Sequence, residues 1–379
     1  MSVTINGTTG IDAVQSGTVD LTTDVTGVLP NANGGTGTAT FNTSFKNRII
    51  NGAMMIDQRN AGAAVTGNAW AVDRFRAFIF GIDQLVLTTQ QDTSAPAGFV
   101  NSYKATVTTA ETTFTDTEDC SIIQLVEGNN IADLGWGTAN ASAVTLSFWV
   151  RSSLTGTFGG CLQNNGGTYS YPFSYTISVA DTWEYKTIII EGETTGTWLT
   201  TNGIGVRVNW SLGSGVDRLG TAGAWVASNV RGVTGQVQLA ETVNATWQIT
   251  GVQLEKGSTA TSFDYRPYGT ELQLCQRYYQ NVKAQIGCAA TTTSINGAGA
   301  LPVTMRDEPS IGKTSGTFAF GDMVSVLYTS TSTPTLSTSN NYRSINFLLG
   351  GFTGLTQYRS YRHEPDATYV ALFTVSAEL

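Results

Sequence analysis

The most regular feature of the sequence is an alternation of apolar and polar residues that recurs between residues 44 and 270. In Val144–Arg151 the four even-numbered residues are apolar, so an extended chain places them on one face and leaves Trp149 on the other. Similar runs follow at Glu184–Glu191, Gly203–Trp210 and Thr246–Leu254. Clusters of glycine and asparagine between the runs, Gly159-Gly160 among them, predict turns. Short strands at this spacing predict a jelly-roll β-sandwich over residues 44–270.

A different periodicity follows directly. Leu272, Cys275 and Tyr279 repeat at intervals of three and four residues, which is the spacing of one face of a helix. Thr270 precedes them and belongs to a residue type that caps helix N-termini. We therefore predict a short helical neck over residues 271–280.

Residues 281–379 return to the pattern of an all-β domain. Candidate strands lie at Gly316–Tyr328, Ser344–Leu349 and Ala367–Ser376. We predict a C-terminal β-sandwich-like tip domain over this region. The fold class of the whole chain is therefore predicted to be all-β.

The first 43 residues differ from the rest of the chain. They are rich in Thr, Gly and Asn, and their apolar residues are scattered in ones and twos. Such a segment buries too little apolar surface to offset the entropy of its own ordering. We predict that residues 1–43 form an extended N-terminal stalk or virion-anchoring segment, which orders against identical copies of itself.

Composition narrows the function classes. The chain of 379 residues is 13% charged, carries a net charge of −8 and has no run of Lys and Arg, so we expect no nucleic-acid partner. Its start lacks a secretory signal, and no stretch of about 18 apolar residues predicts insertion into a membrane. The chain has one histidine, so we do not expect a histidine-based zinc site or a histidine-dependent catalytic triad. We expect no cofactor.

Cysteines are sparse for so long a chain, which argues against a disulfide framework. None of them forms a Cys-x-x-Cys pair. We interpret all four as small buried apolar residues: Cys120, Cys161, Cys275 and Cys288.

Three stretches of the chain resemble bacteriophage tail-fibre and receptor-binding proteins. The first, Val25–Thr40, has the sequence VTGVLPNANGGTGTAT and is similar to segments of tail-fibre stalks. The other two are similar to the opening and closing segments of a jelly-roll, carbohydrate-binding-like domain of tail proteins. The opening stretch comprises Asn47–Met54, Asp57–Arg59 and Ala71–Phe75, and the closing stretch comprises Trp247–Lys256, Phe263–Pro267, Glu271-Leu272 and Cys275–Tyr279.

The resemblance implies a homotrimeric virion fibre protein, assembled in the bacterial host cytoplasm and held near its N-terminus by other tail, baseplate or adaptor proteins. It implies adsorption to a host surface glycan or polysaccharide by non-covalent binding. A purely structural head, collar or decoration protein is an alternative. A polysaccharide depolymerase is a second alternative, since paired carboxylates that cleave glycans can come from distant parts of a chain. We expect no enzymatic activity.

Tyrosines and arginines interleave around the lone histidine near the end of the chain. Aromatic rings stack on sugar rings, and guanidinium groups donate hydrogen bonds to hydroxyls or acidic groups. An ordinary strand with packed tyrosines and solvated arginines is the alternative interpretation. The predicted receptor-binding residues are Tyr342, Tyr358, Arg359, Tyr361, Arg362 and His363.

Three carboxylates crowd into one short segment and form a candidate calcium site: Asp116, Glu118 and Asp119. Calcium prefers oxygen ligands, but the spacing lacks the Asp-x-Asp-x-Asp-Gly pattern of a calcium loop. A solvated acidic loop is the alternative, and we expect no bound metal.

We predict that the full-length protein is a trimer, because the N-terminal segment needs identical partners in order to bury its apolar residues. Light scattering coupled to size exclusion should give three times the 40.2 kDa mass of one chain. A monomeric mass at micromolar concentration would contradict this prediction.

Overall fold

Strands dominate the computed structural model, which describes residues 45–283, 286–322, 326–336, 342–364, 368 and 370–379. Within these ranges it contains 24 strands and one α-helix, so the predicted all-β class is confirmed. Residues Phe45–Leu379 form one unit. The predicted N-terminal stalk segment, residues 1–43, lies outside the described residues.

Two antiparallel sheets of six strands make up the first part of this unit. In spatial order, sheet one contains β1 (Val65–Thr66), β4 (Val86–Asp92), β5 (Ser102–Thr109), β14 (Thr246–Lys256), β7 (Val144–Ser152) and β10 (Glu184–Ile190). Sheet two contains β2 (Trp70–Val72), β3 (Phe75–Phe80), β6 (Asp119–Glu127), β11 (Ile204–Ser214), β8 (Gly156–Gln163) and β9 (Ser170–Ile177). A short parallel pair, β12 (Leu219–Gly220) and β13 (Gly232–Val233), adjoins sheet two.

The two sheets enclose one core of large side chains. The ring of Phe148 lies 5.9 Å from that of Trp210 and 5.2 Å from that of Tyr175, edge-on in both cases. Trp247 donates a hydrogen bond from Nε1 to Tyr175 Oη at 3.1 Å. The four apolar residues of the Val144–Arg151 alternation are fully buried in this core, which confirms the predicted inner face. Each large side chain contributes about 2 kcal/mol when buried, so this alternation holds sheet one against sheet two.

Gly159-Gly160 lies inside β8 and not in a turn, so that prediction is wrong. A Cβ on Gly160 would lie only 2.5 Å from Cζ of Phe173, a residue of the neighbouring strand β9. Glycine is required here because an aromatic ring occupies the space of its side chain. The constraint is tertiary, and the local sequence does not display it.

The α-helix, α1 (Tyr268–Gln276), begins and ends earlier than predicted. Pro267 occupies the N-cap position, and its carbonyl accepts the backbone N–H groups of Thr270 and Glu271 at 2.9 and 3.0 Å. Thr270 is therefore inside the helix and does not cap it. The predicted helix extends beyond Gln276 because its periodicity included Tyr279, which belongs to the following strand.

Two further sheets follow the helix. The three-stranded sheet contains, in spatial order, β15 (Tyr279–Val282), β24 (Phe373–Ser376) and β18 (Ser310–Lys313). The seven-stranded sheet contains β20 (Leu327–Ser330), β19 (Phe318–Gly321), β23 (Ser360–His363), β16 (Ile286–Ala289), β17 (Ile295–Ala300), β22 (Ser344–Leu349) and β21 (Thr335–Leu336). The strand predicted at Gly316–Tyr328 is thus two paired strands, whereas the one at Ser344–Leu349 is confirmed.

A buried ion network joins the sandwich to the last residues of the described chain. Glu378 accepts hydrogen bonds from Arg59 at 2.8 Å and from Arg74, whose side chain is 1% exposed. We call these three residues the Glu378 clasp. The guanidinium carbon of Arg74 lies 3.6 Å from the ring centroid of Tyr278, and that of Arg59 lies 3.6 Å from the ring centroid of Tyr279. Arg74 is therefore neutralised by a carboxylate that is distant in sequence.

A second carboxylate, Glu127 at the end of β6, holds the segment that follows α1. Arg277 donates two hydrogen bonds to it, at 2.9 and 2.6 Å, and the hydroxyl of Tyr278 donates a third at 2.6 Å. Although burial opposes the shift, these hydrogen bonds hold the pKa of Glu127 below its usual value. The Arg277-Tyr278-Tyr279 segment therefore serves as a set of contacts between the two parts of the unit.

His363 lies in the core of the C-terminal sheets. Its ring stacks on Phe320 at 5.1 Å, and Nε2 lies 3.2 Å from the carbonyl of Ala371. Burial lowers its pKa to about 4, and the charge of Lys283 acts in the same direction. The folded protein thus binds this proton less readily than the unfolded chain, so stability is lost as the pH falls from about 6.5 to about 4.

We predict that His363→Leu removes this part of the acid sensitivity. Across the same pH window the wild-type protein should lose up to about 3 kcal/mol more than the variant. Thermal unfolding at a series of pH values measures the two slopes. Asp73, whose pKa burial raises to about 6, titrates in both proteins and cancels in the comparison. If both proteins lose stability equally as the pH falls, His363 is not the source of this acid sensitivity.

Candidate functional site

The predicted receptor-binding residues do not form one surface. Strand β23 alternates, so Arg362 points outward while Tyr361 and His363 are buried. The hydroxyl of Tyr361 accepts the backbone N–H of Thr356 at 2.9 Å. Tyr361 and His363 are therefore core residues, and the prediction that their side chains face a receptor has to be corrected. A period-two strand with tyrosine inward and arginine outward is the alternative that the sequence analysis left open.

The exposed members of the set are also separated. Tyr358 and Tyr342 are 79% and 51% exposed. The N–H of Tyr358 donates to the carbonyl of Ala289, which pairs with Ile295 at the start of β17. Tyr342 lies two residues before Ser344, which pairs with Ala300 at the end of β17. At about 3.3 Å per residue, the length of β17 places them about 17 Å apart. Arg359 and Arg362 are held in ion pairs with Asp322 and Glu364, at 3.3 and 2.8 Å. A receptor-binding role for these residues stays a prediction.

The three carboxylates of the calcium candidate have separate partners. Asp116 is exposed, whereas Glu118 accepts the N–H of Thr115 at 2.6 Å. Asp119 is buried and accepts hydrogen bonds from Ser121 and Ser214 at 2.7 and 3.2 Å. Burial raises the pKa of Asp119. Among the described residues, no group of three His, Cys, Asp or Glu side chains is arranged to hold a metal ion.

Three of the cysteines are buried, as predicted, but Cys288 is exposed on β16. That strand alternates between the core and the outer face of the seven-stranded sheet, and Cys288 falls on the outer positions. All four are free thiols.

The outer face of sheet one carries an aromatic pair. The alternation in β7 that buries Phe148 turns Trp149 outward, and Tyr185 of β10 is its direct cross-strand partner. The two rings lie 5.4 Å apart, and Tyr185 is 44% exposed. The ring planes are inclined by 52°, so the pair forms a bent apolar surface that is open to solvent.

An irregularity in β14 opens the sheet surface beside this pair. The register between β14 and β7 shifts between Thr250 and Gln253. Gly251, at the shift, has a φ of +61°. A Cβ at this position would lie 2.7 Å from Cζ of Phe99 and 3.1 Å from Cδ1 of Trp149. Gly251 therefore supplies both the left-handed backbone and the space into which Phe99 descends.

Phe99 belongs to a second aromatic cluster. Its ring lies 5.1 Å from Phe263 and 5.4 Å from Tyr265, and those two rings lie 4.8 Å apart. The hydroxyl of Tyr265 donates to the carbonyl of Gly98, which ties the two loops together. Between this cluster and the Trp149–Tyr185 pair lies a shallow cavity of about 230 Å³, which we call the aromatic groove. It is lined by Phe99, Ser147, Trp149, Tyr185, Gly251, Thr261, Ser262 and Phe263.

A second cavity of about 160 Å³ adjoins the groove, and Phe263 lines both. Its charged wall is an ion pair in which Arg266 bonds to both oxygens of Glu271 at 3.2 and 3.1 Å. Tyr265 and Tyr268 line it and are 56% and 60% exposed. The two cavities place exposed aromatic rings beside hydrogen-bonding groups.

Polar side chains form a row across sheet one next to the groove. Cross-strand registers align Gln90, Lys104, Gln248 and Arg151 on neighbouring strands. Arg151 lies two residues beyond Trp149, on the same face. Its guanidinium donates to Ser94 at 3.0 Å and to Asp181 at 3.3 Å. Gln90, Lys104 and Arg151 are half-buried in this row and present polar groups to solvent, whereas Gln248 is buried and bonds to Asp92 and Ser102.

Neither a protein-family model nor a curated protein sequence matches the chain. It is structurally similar to the enzymatically active domain of bacteriophage CBA120 tailspike protein 4 (TM-score 0.31, 13% identity), over 57% of this chain and 24% of that domain. It is also similar to a putative sugar-binding protein from Bacteroides thetaiotaomicron (TM-score 0.30, 12% identity, 55% and 99% covered). A family 11 carbohydrate-binding module from Clostridium thermocellum is a third neighbour (TM-score 0.25, 10% identity, 53% and 97% covered).

The chain spans about a quarter of the tailspike domain that it matches. The similarities are too distant to carry the assignment of a function. In the part of the chain that the structure describes, no helix is long and apolar enough to cross a membrane.

Sequence reasoning found only part of this site. The alternation in Val144–Arg151 predicted that Trp149 faces outward, which the structure confirms. Phe99, Phe263 and Tyr265 were missed because they lie in loops with no periodicity. The aromatic spacing within Phe263–Pro267 was the available signal, yet loop residues reveal their partners only after the chain is folded.

We predict that Gly251→Ala destabilises the protein by about 2 kcal/mol, because the positive φ and the contact with Phe99 both disfavour a Cβ. In the background Phe99→Ala the same substitution should cost only about 1 kcal/mol, since the closest contact is gone and only the backbone strain and the 3.1 Å approach to Cδ1 of Trp149 remain. Chemical denaturation of the four proteins gives both values. Equal costs in the two backgrounds would show that Phe99 does not occupy this space.

Proposed function

We propose that this chain is a glycan-binding protein of a phage virion fibre and that the aromatic groove is its glycan site. The observation that carries the proposal is the pairing of exposed rings with a row of polar side chains on one rigid sheet face. Trp149 and Tyr185 supply the rings, and the row from Gln90 to Arg151 supplies donors and acceptors. The function is adsorption to a host cell surface by non-covalent binding.

Sugar chemistry fits this arrangement. One face of a pyranose ring presents C–H groups, which pack on an aromatic ring, while the hydroxyl groups at its edge need hydrogen-bond partners. The Trp149–Tyr185 pair offers the apolar contact, and Arg151, two residues along β7, offers a donor at its edge. A neutral or weakly charged saccharide satisfies both surfaces together.

The shape of the groove suits an internal stretch of a glycan more than a single enclosed sugar. It is open to solvent along the sheet, and the second cavity continues beyond Phe263. Two adjacent units of an oligosaccharide can therefore occupy both cavities, with Phe263 between them. Exposed aromatic surfaces of this kind bind weakly, because part of the ligand stays hydrated.

Weak single sites become effective when several act together. A trimeric fibre, present in several copies on one particle, converts later binding events into intramolecular ones. This agrees with the stalk-like sequence of Val25–Thr40 and with the resemblance of Trp247–Lys256 to tail proteins. We place the protein in the virion, with residues 1–43 contacting other phage proteins and the folded part contacting the cell surface.

We predict that Trp149→Ala with Tyr185→Ala abolishes glycan binding. The probe is an array of purified bacterial surface polysaccharides, with bound full-length protein detected by fluorescence. Loss of stacking on both rings should weaken the affinity of each groove for the recognised glycan about tenfold or more. Thermal unfolding of the double variant checks that the fold is intact.

Tyr358→Ala is the matched control, because Tyr358 is equally aromatic, more exposed and located on the C-terminal sheets. It should leave binding unchanged. If Tyr358→Ala abolishes binding and the double variant does not, the receptor site lies in the C-terminal domain and the groove assignment is wrong. If the bound polysaccharide releases new reducing ends, the protein is a depolymerase and does not act by binding alone.

A further inference from the structure

Arginines in the described part of the chain are generally paired with carboxylates. Arg48, Arg59, Arg74, Arg151 and Arg277, for example, each form an ion pair with Asp or Glu. Arg76 and Arg207 differ, because among the described residues the side chain of neither forms a hydrogen bond or an ion pair. The guanidinium carbon of Arg76 lies 5.4 Å from the ring centroid of Trp70 and 5.9 Å from that of Phe78.

The two unpaired arginines lie close together on the outer face of sheet two. Arg76 of β3 pairs with Ile123 of β6, and Arg207 of β11 pairs with Leu125 of the same strand. Ile123 and Leu125 are two residues apart, so both arginines fall on one face. The inner face is identified by Ile122, which belongs to the core between the sheets. Both arginines are half-buried, which leaves them accessible from solvent.

A third arginine completes the cluster. Arg231 reaches over β11, where its Nη1 lies 3.4 Å from Oδ1 of Asn209, two residues beyond Arg207. Its guanidinium carbon lies 5.0 Å from the ring centroid of Phe78, which follows Arg76 on β3. We call Arg76, Arg207 and Arg231 the arginine cluster. The ring of Trp70 contacts Arg76, and the ring of Phe78 contacts Arg231.

The carboxylates near the cluster do not balance its charge. Oδ2 of Asp119 lies 3.7 Å from Nη1 of Arg231, and its Oδ1 is occupied by Ser121 and Ser214. Glu378 interacts with Arg76 at longer range, but its oxygens are bonded to Arg59 and Arg74. Positive charge therefore accumulates on one face of a chain whose net charge is −8.

Buried donors in the cluster also lack acceptors. The Nε atoms of Arg76 and Arg207 are buried and have no hydrogen-bond partner. Leaving a buried donor unpaired is unfavourable. Burial, together with repulsion from Arg231 and Arg76, lowers the pKa of Arg207 to about 10, so it stays charged near neutral pH. An oxyanion with two or more oxygen acceptors would satisfy the donors and neutralise the charge at the same time.

We propose that the arginine cluster is a binding site for an oxyanion, namely a carboxylate or phosphate group, separate from the aromatic groove. The cluster lies on sheet two and the groove on sheet one, so the two sites face opposite sides of the sandwich. The anion has two possible sources, which share this chemistry: a uronic acid residue of an acidic glycan, or free inorganic phosphate. The site does not depend on glycan binding in the groove.

The test uses the full-length protein and isothermal titration with sodium phosphate, sodium glucuronate and neutral glucose at constant ionic strength. The wild-type protein should bind at least one of the two anions and should not bind glucose at this site. Arg207→Gln should weaken binding of that anion about tenfold or more, because charge-assisted hydrogen bonds are lost. Lys256→Gln removes the same charge from another part of the sandwich and should leave the affinity unchanged.

Thermal unfolding without anion provides a second measurement. Arg207→Gln should keep or raise the melting temperature, since it relieves repulsion between like charges. Failure of the wild-type protein to bind either anion would overturn the proposal, whatever the melting temperature. A lower melting temperature for Arg207→Gln would then make Arg207 a structural residue. Equal weakening by Lys256→Gln would also overturn it, since that result shows only a general charge effect. Preference for glucuronate over phosphate assigns the source to an acidic glycan.

Discussion

The structure depends on the neutralisation of Arg74, a charge that the sandwich buries but cannot balance alone. Arg74 is 1% exposed and lies directly before β3, next to Asp73, yet its carboxylate partner is Glu378 at the other end of the described chain. Removing one member of a buried ion pair is strongly destabilising, by about 3–5 kcal/mol, because the other charge stays buried. The Glu378 clasp therefore makes the sandwich and the C-terminal sheets interdependent, and Glu127 with Arg277 reinforces this at a second point.

The two proposed sites use this rigid frame in different ways. The aromatic groove depends on the regular alternation of β7 and on a single interruption at Gly251, so its floor is a sheet and its walls are loops. The arginine cluster needs no cavity, because pleating alone places Arg76 and Arg207 on one face. In both cases side chains are positioned by strand register, which tolerates little displacement when one face of the sheet is buried.

Periodicity in the sequence was sufficient to predict the class of fold and several strands, because burial of one face imposes a period of two. It failed where the cause lies elsewhere in the structure. Gly160 is a strand residue because Phe173 occupies its side-chain space, and α1 begins at Tyr268 because Pro267 precedes it. Of the candidate site, only the β7 residues Ser147, Trp149 and Arg151, which share the outer face of the Val144–Arg151 alternation, were predictable. The loop aromatics and the six tip residues needed a three-dimensional arrangement that no local pattern encodes.

The sequence separation within the Glu378 clasp has a consequence for how the chain folds. Arg59 and Glu378 are 319 residues apart, so their contact forms only after the 318 residues between them have been synthesised. Long-range contacts of this kind slow folding, since the loop must close before the contact stabilises anything. A partly synthesised sandwich holds Arg74 without its partner and stays less stable than the finished protein. Completion of the C-terminal sheets is thereby coupled to the final stabilisation of the sandwich, which is synthesised first.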